Sequence, residues 1–158
     1  MTERFKKTRA KLVKTFLAKD LLNGSCTSCA IGTLCNGQME WSDLFCGGRI
    51  RVDIDSDNIV TFLVPKEIDD NDDYLVSVKN HLETETGYSL KECAEIERVF
   101  EEDTGYYRKW QDSDDLDELY CREKDMFIRL SRVINTLMKF DKIPPDGYMK
   151  KLRKQIVF

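Results

Sequence analysis

The sequence predicts an α+β fold that is mainly α, a compact helical bundle carrying one β-hairpin. Three observations lead there. Apolar residues recur at three- and four-residue spacing in several separate stretches, the signature of amphipathic helices. The longest stripe runs through Leu116, Leu119, Tyr120, Met126, Phe127, Leu130, Val133, Ile134, Leu137 and Met138. Arg49 to Ile54, by contrast, alternates strictly, and a β-branched run follows it across a turn. The 158 residues suit one domain over 1–158, and 41% hydrophobic residues suffice for one core. No apolar run approaches the roughly 20 residues of a membrane-spanning helix. Met1–Lys7 leads into an amphipathic stretch and not a signal-peptide core, so a cytoplasmic protein is expected.

The first predicted helix covers Thr8 to Leu22, with Leu12, Val13, Phe16, Leu17 and Leu21 as its apolar positions and Asn23-Gly24 as its stop. Cys29 to Cys35 reads as a short helix of small residues, capped by Thr27 or Ser28 and ended by Asn36-Gly37. Trp41 to Phe45 reads as a further helical turn. The hairpin spans about residues 49–64: Ile50, Val52 and Ile54 share one face, Ile59 to Val64 form the second strand, and Asp55-Ser56-Asp57-Asn58 make the turn. Acidic residues 69–73 lead into a helix from Tyr74 to about Thr84, broken at Gly87. Ser89-Leu90-Lys91-Glu92 matches a capping box, and its helix continues to about Glu102. The long helix follows over about 116–140, some 37 Å at 1.5 Å per residue. Pro144-Pro145 ends it, and Tyr148 to Val157 makes a last short helix. A second copy of the chain can use the 116–138 stripe as a homodimer seam.

Charge is unevenly spread. Residues 1–19 carry seven basic side chains against Glu3, a balance of +6, and residues 139–158 carry six against Asp141 and Asp146, a balance of +4. The overall −4 therefore leaves −14 on residues 20–138. Basic ends can serve a nucleic acid, with Lys6, Lys7, Lys150 and Lys151 as candidate contacts. A pI near 5.2 argues against general phosphate binding and for solvated helix faces.

Cys26, Cys29, Cys35 and Cys46 concentrate the remaining chemistry. Cys26-x2-Cys29 is a good zinc half-site, but Cys35 and Cys46 do not form a second such pair. On one helix Cys29 and Cys35 would project roughly 120° apart, which does not converge them on one ion. A redox or nucleophilic role centred on Cys26 and Cys29 is the competing enzymatic reading. A Cys–His mechanism has one histidine to draw on, His81. Small buried hydrophobes are the simpler account of these cysteines, with no metal or other cofactor and no catalysis.

Two segments look familiar together: Leu21-Leu22-Asn23-Gly24-Ser25-Cys26-Thr27-Ser28-Cys29-Ala30-Ile31-Gly32-Thr33-Leu34, and Thr86-Gly87-Tyr88-Ser89-Leu90 running into Ala94–Glu101. The combination resembles small uncharacterised proteins of bacteria and their phages that carry a Cys-Ala-Ile-Gly helix. The resemblance brings no activity and no site residue. It implies a prokaryotic or phage setting, and that Cys29, Ala30 and Gly32 serve the fold. The expected function is a non-enzymatic interaction or regulatory protein, phage-encoded, that binds a host or virion protein and in its narrowest form inhibits host defence. Asp112, Asp114, Asp115, Asp117 and Glu118 form the expected partner-binding face. The alternatives are a nucleic-acid-binding module using the basic terminal helices, and a zinc- or thiol-dependent enzyme centred on Cys26 and Cys29.

Overall fold

The computed structural model describes residues 1–54, 58–104 and 115–156, with backbone alone for 46–54, 58–63 and 115–121. The chain is mainly helical. Helix α1 spans Glu3–Leu17, starting five residues before the apolar periodicity does because Thr2 caps it, its hydroxyl accepting the Phe5 N–H. Its end also differs from the expected Asn23-Gly24. Lys19 takes the left-handed conformation at φ 62°, with Lys19 N–H on Phe16 O and Asp20 N–H on Thr15 O. That bond pair is a Schellman stop, which closes the helix without glycine. Gly24, at φ 72°, is instead a turn residue beyond it.

Helix α2 spans Ala30–Leu34, all five residues buried. It stops as expected at Asn36-Gly37, with the same bond pair: Asn36 N–H on Thr33 O and Gly37 N–H on Gly32 O. Its cap is Cys29, not Thr27 or Ser28, because those two residues belong to the turn that precedes it. The helical turn expected at Trp41–Phe45 is present as a 3₁₀ helix, Glu40–Leu44. Strands β1 (Phe45–Ile54) and β2 (Asn58–Pro65) pair antiparallel, Arg49 opposite Leu63 and Ile54 opposite Asn58. The residues between them, 55–57, lie outside the described residues. Lys66 N–H returns to Leu44 O at 2.7 Å, closing the base of the hairpin. The hairpin lies along α4, the support a two-stranded sheet needs.

Helix α3 (Asp73–Thr86) is capped by Asp72 on Leu75 N–H and stopped by Gly87 at φ 75°. Helix α4 (Leu90–Glu101) begins with the predicted capping box, both Ser89–Glu92 bonds being present. Helix α5 (Asp115–Phe140) is the long helix, and α6 (Tyr148–Gln155) ends the described chain. Helix α5 packs against α1 and α4, and α2 sits between α1 and α4. The core is built from Phe5, Leu12 and Phe16 of α1, Ile31 of α2, Ile96 and Phe100 of α4, and Leu130, Ile134 and Leu137 of α5. Among the described residues no helix is long and apolar enough to cross a membrane.

A third Schellman stop ends α5, ahead of Pro144. Lys142, at φ 53°, donates to Lys139 O, and Ile143 N–H reaches Met138 O at 2.8 Å while its side chain packs on the core. A lysine there bears a Cβ penalty that glycine does not. Lys142→Gly should therefore raise stability by about 0.5–1 kcal/mol, read as a higher denaturant midpoint with an unchanged slope.

Candidate functional site

A five-residue helix does not hold itself together in water, so α2 must be fixed from outside. Two of its free N-terminal amides are met by side chains. Cys29 Sγ accepts the Gly32 N–H at 3.3 Å, and the Glu97 carboxylate of α4 accepts the Ile31 N–H at 3.2 Å. One turn further along α4, Glu101 takes the Gly24 N–H on both carboxylate oxygens, at 2.7 and 3.0 Å. Two carboxylates of α4 thus hold the whole Gly24–Ile31 stretch, with Glu97 only 2% exposed. A buried carboxylate is tolerated because it faces the positive end of a helix.

Packing fixes the same segment from its other side. A Cβ on Gly32 would lie 2.2 Å from Cys26 O and 2.6 Å from the Thr27 carbonyl carbon. Cys26 O in turn accepts the Trp41 indole N–H at 2.8 Å. The turn at Cys26–Ser28 therefore lies directly on the α2 backbone, pinned there by the 3₁₀ helix.

The cysteines take their state from this packing. Burial, and then the neighbouring Glu97 carboxylate to which its S–H donates, push the Cys29 thiol far above its ordinary range. Burial raises Cys35 to about 11, against the pull of Lys11, and Cys93 to about 12 beside the Thr86 hydroxyl. Protonated thiols are poor nucleophiles and poor metal ligands. Cys26 is half-buried, and the Cys46 side chain lies outside the described residues. Among the described residues, no three His, Cys, Asp or Glu side chains are grouped to hold a metal ion.

Cys29, Cys35 and Cys93 should therefore resist brief alkylation at neutral pH, while Cys26 reacts, and all should react once unfolded; peptide mass spectrometry reads this directly. Unfolded thiols ionise near pH 8.5. The buried thiols' contribution to stability is full below that value and falls as pH rises, through about 11 for Cys35.

His81 shares no hydrogen bond with Cys26 or Cys29 among the described residues. It is exposed on α3, its Nε2 lies 2.8 Å from Gln38 Oε1, and it lines a cavity of about 240 Å³ with Cys35, Trp41 and Leu82. Of the expected partner face, Asp112 and Asp114 lie outside the described residues. Asp115, Asp117 and Glu118 fall on the first turn of α5, their side chains also outside them. The candidate dimer stripe is buried from Met126 to Met138 against the chain's own core. A second copy would have to use Leu116, Leu119 and Tyr120, whose side chains are not among those described.

Sequence reasoning missed the most buried charges. Arg129 of α5 is 2% exposed, and its Nε donates to Asp125 at 2.9 Å. Its Nη1 donates to Phe100 O at 2.6 Å and Glu102 O at 3.2 Å, and Arg132 also reaches Glu102 O, at 2.8 Å. Two guanidinium groups thereby satisfy the open carbonyls at the end of α4, where the helix dipole favours cations. Thr104 donates to Asp125 from the segment just beyond. The spacing Asp125–Arg129, one helical turn inside an apolar stripe, is the signal that was there to read.

The basic ends do come together. Arg9 of α1 pairs with Asp146 at 2.8 Å and stacks on the Tyr148 ring at 4.1 Å, and Arg4 binds Asp141. In comparisons with known proteins, no family model, curated protein or solved structure matches this chain.

Proposed function

We propose that this chain acts by binding and not by catalysis: a non-enzymatic interaction or regulatory protein, phage-encoded, that engages a host or virion protein. Inhibition of a host defence enzyme is the narrowest form of this reading. The observation that carries it is the state of Cys29. The residue at the centre of the cysteine segment caps α2, directs its S–H to Glu97 and is buried, so the fold already uses it. Segregated charge adds support, because an acidic middle between basic ends gives a partner an oriented field to meet.

The face proposed for that partner is Asp112, Asp114, Asp115, Asp117 and Glu118. Its test is partner capture by immobilised protein, with wild type set beside a variant carrying the five amides in place of the acids. A loss of about tenfold or more is expected in the neutralised protein. Capture that survives neutralisation unchanged removes this face from the account.

A further inference from the structure

Helix α6 buries one residue, Leu152, at 5% exposure. At about 100° per residue, Lys150 and Lys154 lie one turn apart directly opposite it, with Lys151 beside them. All three are exposed. The two acids that precede α6 are already engaged by other groups. Asp146 accepts Arg9 Nη1 at 2.8 Å and the Tyr148 N–H at 2.9 Å. Asp141 accepts Arg4 Nε at 2.8 Å and the Thr2 hydroxyl. The arginines of α1 thus take up the local acids and leave the lysines of α6 to solvent. On α1 itself Lys6 is held by Glu3 at 2.7 Å and Lys11 by Leu34 O and Asn36 Oδ1. That leaves Lys7 and Lys14 exposed two turns apart, so the contiguous lysine row is that of α6.

We infer that this lysine face of α6 contacts the phosphate backbone of a nucleic-acid duplex. The chemistry of the row favours that partner over two others. A protein interface core is depleted in lysine and needs an apolar anchor, but Tyr148, Met149 and Ile156 are turned into the core. For the same reason no apolar group is left on α6 to enter a membrane surface. Bare lysines are point charges that suit a repeating phosphate lattice and release its counterions. Contact of this kind is independent of sequence. It is weakened by the acidic remainder of the chain, so it belongs in the range of about 1–100 μM at physiological salt. It stands apart from the proposed acidic face, and either can fail without the other.

The test is fluorescence anisotropy of a short labelled DNA duplex titrated with the full chain across a salt series. Three phosphate contacts predict a log–log salt slope near −2.7, about a 40-fold loss of affinity between 50 and 200 mM salt. Changing Lys150, Lys151 and Lys154 together to Ala should abolish the slope, while Lys91→Ala on α4 should leave it unchanged. These side chains are exposed, and a retained thermal transition shows that the variants fold. No binding at the lowest salt overturns the inference. So does a slope that survives in the triple variant, or binding to polyglutamate but not to DNA.

Discussion

Gly32→Ala should unfold this protein about 10 °C below wild type, although alanine is the best helix former and Gly32 lies inside a helix. Propensity alone would favour the substitution by about 1 kcal/mol. Against that stands a Cβ placed 2.2 Å from Cys26 O, where no flexible side-chain end can yield. Moving the Cys26 carbonyl away breaks its 2.8 Å bond to Trp41 Nε1, leaving the donor of a 5% exposed tryptophan unmet. Overpacking of about 1–3 kcal/mol and an orphaned donor of similar cost outweigh the propensity gain, for a net loss of about 3 kcal/mol. Gly37→Ala is the matched control. Nothing lies within 4 Å of its Cβ, and its φ of +79° costs only the left-handed penalty, about 1–2 kcal/mol. Differential scanning calorimetry of the two variants separates steric from conformational need for glycine.

Arg129→Met should cost about 3–5 kcal/mol, the largest loss expected from one charged residue in this chain. The substitution keeps the volume roughly constant, so the loss reports charge and hydrogen bonds. It strands Asp125, 3% exposed, and uncaps the Phe100 carbonyl at the end of α4. Arg129→Lys should fall between, because an ammonium cannot reproduce a fork that serves Asp125 Oδ2 and two carbonyls together. Adding Asp125→Leu to Arg129→Met should restore only part of the loss. The stranded carboxylate is then gone, but Phe100 O remains open, Glu102 O keeps only Arg132, and Thr104 has lost its acceptor. Full recovery in urea unfolding would mean that the ion pair, and not the helix-end capping, held the value.

Local signals were legible where a residue type acts on its own neighbours. Ser89 and Glu92 announced their capping box, Gly87 its stop, and the stripe from Met126 to Met138 its helix. The hairpin followed from strict alternation, with strands longer than the alternating core because Phe45 and Pro65 also pair. Misreadings came where chemistry is borrowed from far along the chain. Thr27 and Ser28 looked like caps for α2, yet its amides are met by Cys29 and by Glu97, 66 residues away from Ile31. Left-handed Lys19 and Lys142 carry no residue-type signature at all. Glu97 and Arg129 did leave a trace, since each is a charge at a position where the helical period calls for an apolar side chain. What that trace lacks is the partner, and only the packing of α2 and α5 on α4 supplies it.

On this reading the Cys26–Cys35 segment is architecture, and its cysteines are thiols held by the fold. Native mass spectrometry of the reduced chain, with a slight excess of zinc added, tests it most directly. The expected spectrum shows the mass of the metal-free chain. One tightly held zinc per chain, lost when Cys26 and Cys29 are changed to Ser, would contradict it and return Cys26, Cys29, Cys35 and Cys46 to a common site.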